Sequence, residues 1–446
     1  MIAAILEKYI RNADLKEVVS KANSNFFLRL LGNVLAYLLV FSIVQLFGPN
    51  LYGQYSHSIT IFLVFRLLSN FGIKPAVVRA FAEADSEHGV NVKAYYKKSL
   101  IILLITGLLS SAFLYGFAQF IADLYGKSYL ASLIQILAFA LLPYNLIDLN
   151  SAVFKGLRKI VHHTLLENIG NPLFSLITIL ISYWLFNDFI AVFYSIVFAL
   201  AVLCFLSFVM LYRVLANIEV KTKKGVSYRE ILKVSLPMYL NSSLDLIGRW
   251  ADILVLGFFC TDFQIGAYHL VSRLATAISV PLQALNSIIT PKFRQLFIQN
   301  NLTTLKEVAQ KSAKGTFVVA FLAGSALVIF GYWIIEFFEP AYVIAYSSLI
   351  VLVIGMVANS FFGSVLHLLN MTEGHMLLMR ISTVVTAANI GLNLILIPEL
   401  DIIGAAISTS CSIFMLYFLA ALYCKKRLKF LPYAVPSLKR LTLKKY

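Results

Sequence analysis

Arg29, Arg66, Asp245, Arg249, Asp252 and Arg273 lie inside long apolar stretches, and any dealing with charged matter must start from them. The densest group is in 236–257, LPMYLNSSLDLIGRWADILVLG. At about 100° per residue, Asn241, Asp245, Arg249 and Asp252 fall within an arc of about 80°, which makes one polar stripe. A charged side chain at mid-membrane costs about 2.5–3.5 kcal/mol on insertion scales, so the stripe must face other helices or a wet cavity, not lipid tails. Two readings are open. In one, the stripe is a substrate surface where Arg249 contacts an anion while Asp245 and Asp252 set its rotamer. In the other, the i,i+4 and i,i+3 charges neutralise each other within the helix. Arg273 has no acidic residue within a turn. Arg29 and Arg66 lie near span ends, where a long side chain can snorkel to water. Asp148 is at a comparable depth and is a natural counter-charge. The six residues named first are the substrate-binding candidates.

Other chemistry finds little support. The chain contains no G-x-x-x-x-G-K-[ST], so no nucleotide-driven motor is built in. His162 and His163 stand among Lys155, Arg158 and Lys159, and two adjacent histidines without a third ligand read as a solvated basic loop before they read as a metal site. Cys204, Cys260, Cys411 and Cys424 are scattered without C-x-x-C spacing and read as small hydrophobes. The reading is therefore of a protein that is not an enzyme, with no metal and no cofactor.

The elements that carry these residues follow from composition. Of 446 residues 60% are hydrophobic and only 13% charged, with a mean hydropathy of +0.83. Soluble proteins carry roughly 25% charged residues, so this is an all-α polytopic membrane protein. Twelve spans are predicted, at about 26–47, 51–71, 99–120, 129–149, 168–186, 189–212, 234–257, 265–289, 316–337, 346–370, 379–397 and 404–423. Asn187 and Asp188 alone separate the fifth from the sixth, which predicts a tight hairpin. The prolines Pro143, Pro172, Pro237 and Pro281 fall in or beside spans and are candidate bends.

The net charge of +16 would suit a nucleic-acid binder, but its placement says otherwise. Of 37 basic residues, 32 fall in the two terminal segments and alternate loops, one (Lys127) on the opposite side, and four within spans. The positive-inside rule then puts both termini in the cytoplasm and makes nucleic acid unnecessary. The predicted organisation is an amphipathic N-terminal segment, 1–25, on the membrane surface, an N-lobe of six spans, 26–212, and a basic linker, 213–233. A C-lobe of six spans, 234–423, and a basic tail, 424–446, complete it. The halves look duplicated: FGPNLYGQYSHS (47–58) follows the first span and FFCTDFQIGAYHLVS (258–272) the seventh, aligning Gly53-Gln54-Tyr55 with Gly266-Ala267-Tyr268. An even number of spans per half gives both halves one orientation, with a central cavity expected between them.

With this layout in place, FGIKPAVVRAFAE (71–83), FKGLRK (154–159), SLPMYL (235–240), IGAYHLVSRL…PLQALNSIITPKF (265–293) and LNLILIPELDIIGAAIST (392–409) occur in the order seen in one family. The chain resembles, over essentially its whole length, the polysaccharide (O-antigen type) exporters of the multidrug/oligosaccharidyl-lipid/polysaccharide flippase superfamily. The resemblance implies a flippase that moves undecaprenyl-pyrophosphate-linked oligosaccharide, such as an O-antigen unit for lipopolysaccharide, across a bacterial inner membrane by alternating access. It implies as partners the lipid-linked oligosaccharide substrate, membrane lipids and a polysaccharide polymerase machinery. The alternative within the superfamily is a multidrug/cation antiporter. Those antiporters commonly place an acidic residue in the first helix, whereas 26–47 carries Arg29 and no Asp or Glu.

Overall fold

The computed structural model describes residues 13–83, 91–216 and 225–434, and among them there is helix, turn and short coil but no strand. The helices are α1 (Ala13–Phe47), α2 (Pro49–Asn70), α3 (Ile73–Ala82), α4 (Val92–Tyr125), α5 (Tyr129–Ala138), α6 (Leu141–Gly156), α7 (Ile160–Thr164), α8 (Asn171–Phe186) and α9 (Ile190–Ala216). They continue as α10 (Tyr228–Phe259), α11 (Asp262–Thr276), α12 (Ser279–Ile298), α13 (Leu302–Phe338), α14 (Tyr346–Ser360), α15 (Val365–Met371) and α16 (His375–Leu428). Among the described residues, seven helices are long and apolar enough to cross a membrane, and two bent pairs, α2–α3 and α5–α6, bring this to nine. α16 supplies a further crossing. At 1.5 Å per residue a straight helix would put eight residues about 12 Å apart. Gly404 nevertheless lies so close to the Leu396 carbonyl that a Cβ there would be 2.3 Å from the oxygen, so the chain turns back at Asp401 (φ 49°, ψ −131°). The charge-bearing α10 and the α11–α12 pair complete twelve crossings, six in each half.

The chain divides into two compact units, Met1–Leu246 and Ile247–Tyr446. The division falls inside α10, whereas the basic segment 213–233 was the expected linker; residues 217–224 of that segment lie outside the described ones. Of the expected surface segment 1–25, residues 1–12 likewise lie outside, and from Ala13 the backbone runs unbroken into the first span. Residues 435–446 of the tail are also outside.

Element ends follow local chemistry. The Asn91 side chain accepts the Ala94 N–H at 3.0 Å to open α4, and Thr261 and Gln264 form a reciprocal capping box at the start of α11. The hairpin between α8 and α9 closes as predicted, through Asn187 in the left-handed region at φ 47°.

Four of the breaks within spans, each near a proline, follow one rule. Proline lacks an N–H, so it leaves the carbonyl four residues earlier without its helical partner and crowds it. Pro75, Pro143 and Pro281 point back to Phe71, Phe139 and Ala277, where α2, α5 and α11 give way to α3, α6 and α12. Pro172 points back to Asn168, inside a π-helical turn at Leu165–Gly170 that precedes α8. The α2–α3 bend is 51° and the α5–α6 bend 44°. Pro237, the remaining expected bend, lies within continuous α10.

The tenth span breaks without proline, between α14 and α15. There Gly363 (φ 59°) lies against Ala313, where a Cβ would be 2.5 Å from the Ala313 Cα. Ser312 bonds Ser364 at 2.9 Å, and Ser364 also bonds Asn286. The freed Phe361 carbonyl accepts the Ala434 N–H at 3.0 Å, and the Tyr433 ring stacks on Phe361. The segment after α16 is thus a strap across the end of the second unit, with Leu428 and Phe430 buried in the apolar cluster of Phe293, Leu305, Leu368 and Cys424.

Candidate functional site

The first unit gathers its charge where the end of α2 and the start of α3 meet the middle of α6, the end of α7 and the π turn that follows it. Arg66, on the last turn but one of α2, donates to Asp148 Oδ2 from Nη2 at 2.5 Å and from Nε at 3.1 Å. Its guanidinium carbon lies 3.8 Å from the centre of the Tyr144 ring, a cation–π contact. Lys74, on α3 beyond the 51° bend, donates to Asp148 Oδ1 at 3.0 Å and to Glu167 Oε1 at 2.5 Å. His163 Nε2 meets Glu167 Oε2 at 3.0 Å, and its Nδ1 is 2.7 Å from Ser151 Oγ. A single chain of contacts therefore runs Arg66–Asp148–Lys74–Glu167–His163–Ser151. Asp148 is nearly closed off at 6% side-chain exposure, while Arg66 and Lys74 keep 20% and 22%. The bends place these groups. Pro75 redirects α3 so that Lys74 reaches Asp148, and the π turn before Pro172 carries Glu167 to the same spot.

This corrects one expectation. His163 is buried and bonded through both ring nitrogens, so it is not a solvated loop side chain. The pairing of Arg66 with Asp148 is as expected. Arg29, on α1, is half-buried, and its Nε is buried with no hydrogen-bond partner.

In the second unit the deepest charge is Asp252. Its Oδ2 accepts from Tyr268 Oη at 2.6 Å and from Thr409 Oγ1 at 3.3 Å, and Oδ1 accepts its neighbour's N–H, Ile253, at 2.9 Å. The carboxylate is thus held between α11 and α16, where the stripe had suggested that it orients Arg249. Arg249 is exposed, and its neighbour Trp250 stacks on the buried His269. Arg273 is half-buried on the last turn of α11, just before the break at Ala277. The side chain of Asp245 lies outside the described residues.

Sequence reasoning missed Lys74, Glu167 and His163 in the first unit, and Tyr268 and Thr409 in the second. One signal was available: Glu167 follows His163 by four residues, the spacing of an intrahelical pair. Tyr268 belongs to the repeated Gly-x-Tyr element, but nothing in its spacing points to Asp252.

The profile of a family described as polysaccharide biosynthesis protein matches residues 18–297. Two proteins of Haloferax volcanii are similar to parts of the chain. One, named "Probable flippase AglR", is 27% identical over 188 residues, which are 41% of this chain and 39% of that protein. The other, named "Probable low-salt glycan biosynthesis flippase Agl15", is 28% identical over 167 residues, 36% of this chain and 35% of that protein. Each match thus spans well under half of the relative's length. Among the solved structures that share the fold are two transporters. An inward-facing multidrug resistance MATE family transporter of the MOP superfamily superposes with a TM-score of 0.76 at 14% identity, over 91% of this chain and 98% of that one. The lipid II flippase MurJ, in an inward closed conformation, superposes with a TM-score of 0.70 at 19% identity, over 92% of this chain and 87% of that one.

Proposed function

Because this chain belongs to the polysaccharide biosynthesis protein family, we propose that it is a non-catalytic flippase for polyprenyl-pyrophosphate-linked oligosaccharide, with undecaprenyl-linked surface-polysaccharide units, O-antigen among them, as the substrate class. The observation that carries this reading is the sign of the charge within spans. Arg29, Arg249 and Arg273 lie in apolar helices, where cations are costly to place without a purpose, and the first span has no acidic residue. A pyrophosphate bearing sugars loses its hydration on entering hydrocarbon, and planar guanidinium forks are suited to replacing that hydration. Both named relatives are glycan or general flippases by their printed names, in keeping with this direction.

In this reading the basic loops face the cytoplasm, the loaded lipid enters from that leaflet, and alternating access delivers the headgroup to the opposite one. In a bacterium this is the inner membrane, with both termini cytoplasmic. Outward movement of the anion runs with an inside-negative potential, which supplies about 2.3 kcal/mol per charge per 100 mV if the full drop is crossed. The test is translocation in proteoliposomes. A polyprenyl-pyrophosphate oligosaccharide with a fluorescent sugar is loaded, and its exposure to an impermeant quencher is followed. Transfer faster than in empty vesicles is expected. Transfer of a lipophilic cation in exchange for protons, with no movement of the lipid, would instead make the protein an antiporter.

A further inference from the structure

Lys74 supplies the ammonium of the first unit's charge chain, and an ammonium carries three N–H donors. Among the described residues two of them are taken, by Asp148 Oδ1 at 3.0 Å and by Glu167 Oε1 at 2.5 Å. The side chain also keeps 22% of its surface exposed. Its two acceptors differ. Asp148 is closed off and is held as well by two donors of Arg66, whose guanidinium lies over the Tyr144 ring. Glu167 is 34% exposed and has a second partner, His163, at 3.0 Å. The outer side of Lys74 is thus an anion site in which the anion is one of the protein's own carboxylates. Behind both carboxylates lies a cavity of about 10 Å³, the size of about one water, with Ser151 and Asn171 in its wall. If Glu167 lets go of Lys74, it keeps His163 and this polar pocket, so the exchange does not strand a buried charge.

We propose that Lys74 is the entry contact for the headgroup phosphate and that Glu167 is the internal anion which the phosphate replaces, an inference that rests on the flippase reading above. In that reading α3 opens a cytoplasmic loop, so Lys74 stands at the leaflet from which the loaded lipid comes. A phosphate oxygen takes the third N–H first and then the bond that Glu167 gives up. A pyrophosphate carries more negative charge than one carboxylate, which drives the exchange. The competitor has a purpose. A membrane is rich in lipids with a single phosphate, and a lysine without a carboxylate beside it would hold them. An anion already in place weakens the grip on every other anion, which disfavours the wrong lipid and lets the right one leave again.

The experiment measures binding of farnesyl pyrophosphate to the full chain in detergent. Glu167→Gln keeps the side chain's shape and removes the competing charge, so it should bind the probe about tenfold more tightly, or about 1.4 kcal/mol. Lys74→Gln should bind it about tenfold more weakly. In the double variant the gain from Glu167→Gln should disappear, leaving the affinity within about twofold of Lys74→Gln alone. Unchanged or weaker binding by Glu167→Gln would overturn the proposal. So would the same gain in the absence of Lys74, because general repulsion by Glu167 does not need the lysine. A third arm needs no variant: the probe should protect Lys74 of the unaltered protein from acetylation and leave exposed Lys155 reactive. Equal reactivity of Lys74 with and without the probe would also overturn the proposal. The flippase reading fails separately, if these binding results hold but the unaltered protein moves no lipid in the vesicle assay.

Discussion

Replacing Asp148 by alanine removes the hub of the first unit's charge chain. Asp148 accepts three hydrogen bonds from Arg66 and Lys74. Without it, two cations face each other, and Glu167, at 34% side-chain exposure, is the remaining carboxylate of the chain. Breaking a buried pair by deleting one partner costs about 3–5 kcal/mol. Because Arg66 and Lys74 keep about a fifth of their surface in contact with solvent, the lower end, about 3 kcal/mol, applies. At roughly 2–4 °C per kcal/mol for a domain of this size, the midpoint of heat-induced loss of monodisperse protein in detergent should fall by about 6–12 °C. Two comparisons isolate the cause. Glu83→Gln breaks the exposed Arg79–Glu83 pair and should shift the midpoint by no more than about 4 °C, because such pairs contribute at most about 1 kcal/mol. Arg66→Met combined with Asp148→Leu removes the pair together and should recover about 1–3 kcal/mol relative to the sum of the single changes. An Asp148→Ala shift no larger than that of Glu83→Gln, or strict additivity in the double variant, would refute the buried-hub account.

Further outcomes follow from other contacts. Truncation after Arg427 removes Phe430 and the Ala434–Phe361 bond and should lower thermal stability, by about 3 kcal/mol or more for the lost phenyl group alone; an unchanged midpoint would contradict the burial of this strap. Alanine at Arg249 or Arg273 should abolish lipid translocation without loss of membrane insertion, and lysine should rescue it only in part, because the charge returns without the fork; full activity of both alanine variants would end their assignment as phosphate ligands. Tyr268→Phe withdraws the shortest donor to a buried carboxylate and should cost about 1–3 kcal/mol by the same heating assay, more than Thr409→Val with its 3.3 Å contact. Thiol labelling should modify Arg249→Cys well before Val255→Cys, since position 249 is exposed and Val255 is buried; equal protection would contradict this placement.

The spans were legible because lipid imposes a length and forbids charge, so a run such as Ser99 to Ala122 has one interpretation. The Arg66–Asp148 pair was legible from their shared depth. The bends were half legible. Pro143, Pro172 and Pro281 marked the right regions, but the break lies four residues upstream of each, and Pro75 went unnoticed because Lys74 had been assigned to a loop. That assignment also hid the lysine's role as the bridge between two carboxylates. His163 was misread because a histidine beside Lys159 looks solvated until the π turn is known. The bond between Asp252 and Tyr268 joins two helices through a fold that no spacing encodes.

The duplicated halves give one of these contacts an internal control. Whether the halves are aligned from the ends of α1 and α10 or from the Gly-x-Tyr elements, Asp252 falls opposite Val40 or Leu39, and both are apolar and buried. The tyrosine was kept in both copies: Tyr55 packs beside Tyr52 and Phe193, while Tyr268 holds a carboxylate. The first lobe is thus a natural replacement of that aspartate by an aliphatic residue, already folded around its tyrosine. The two halves thus differ in what they hold at this aligned position, hydrocarbon in one and an ionisable oxygen in the other. An exchange of Asp252 and Leu39 between lobes would ask whether the chain needs that oxygen in a given half or only somewhere.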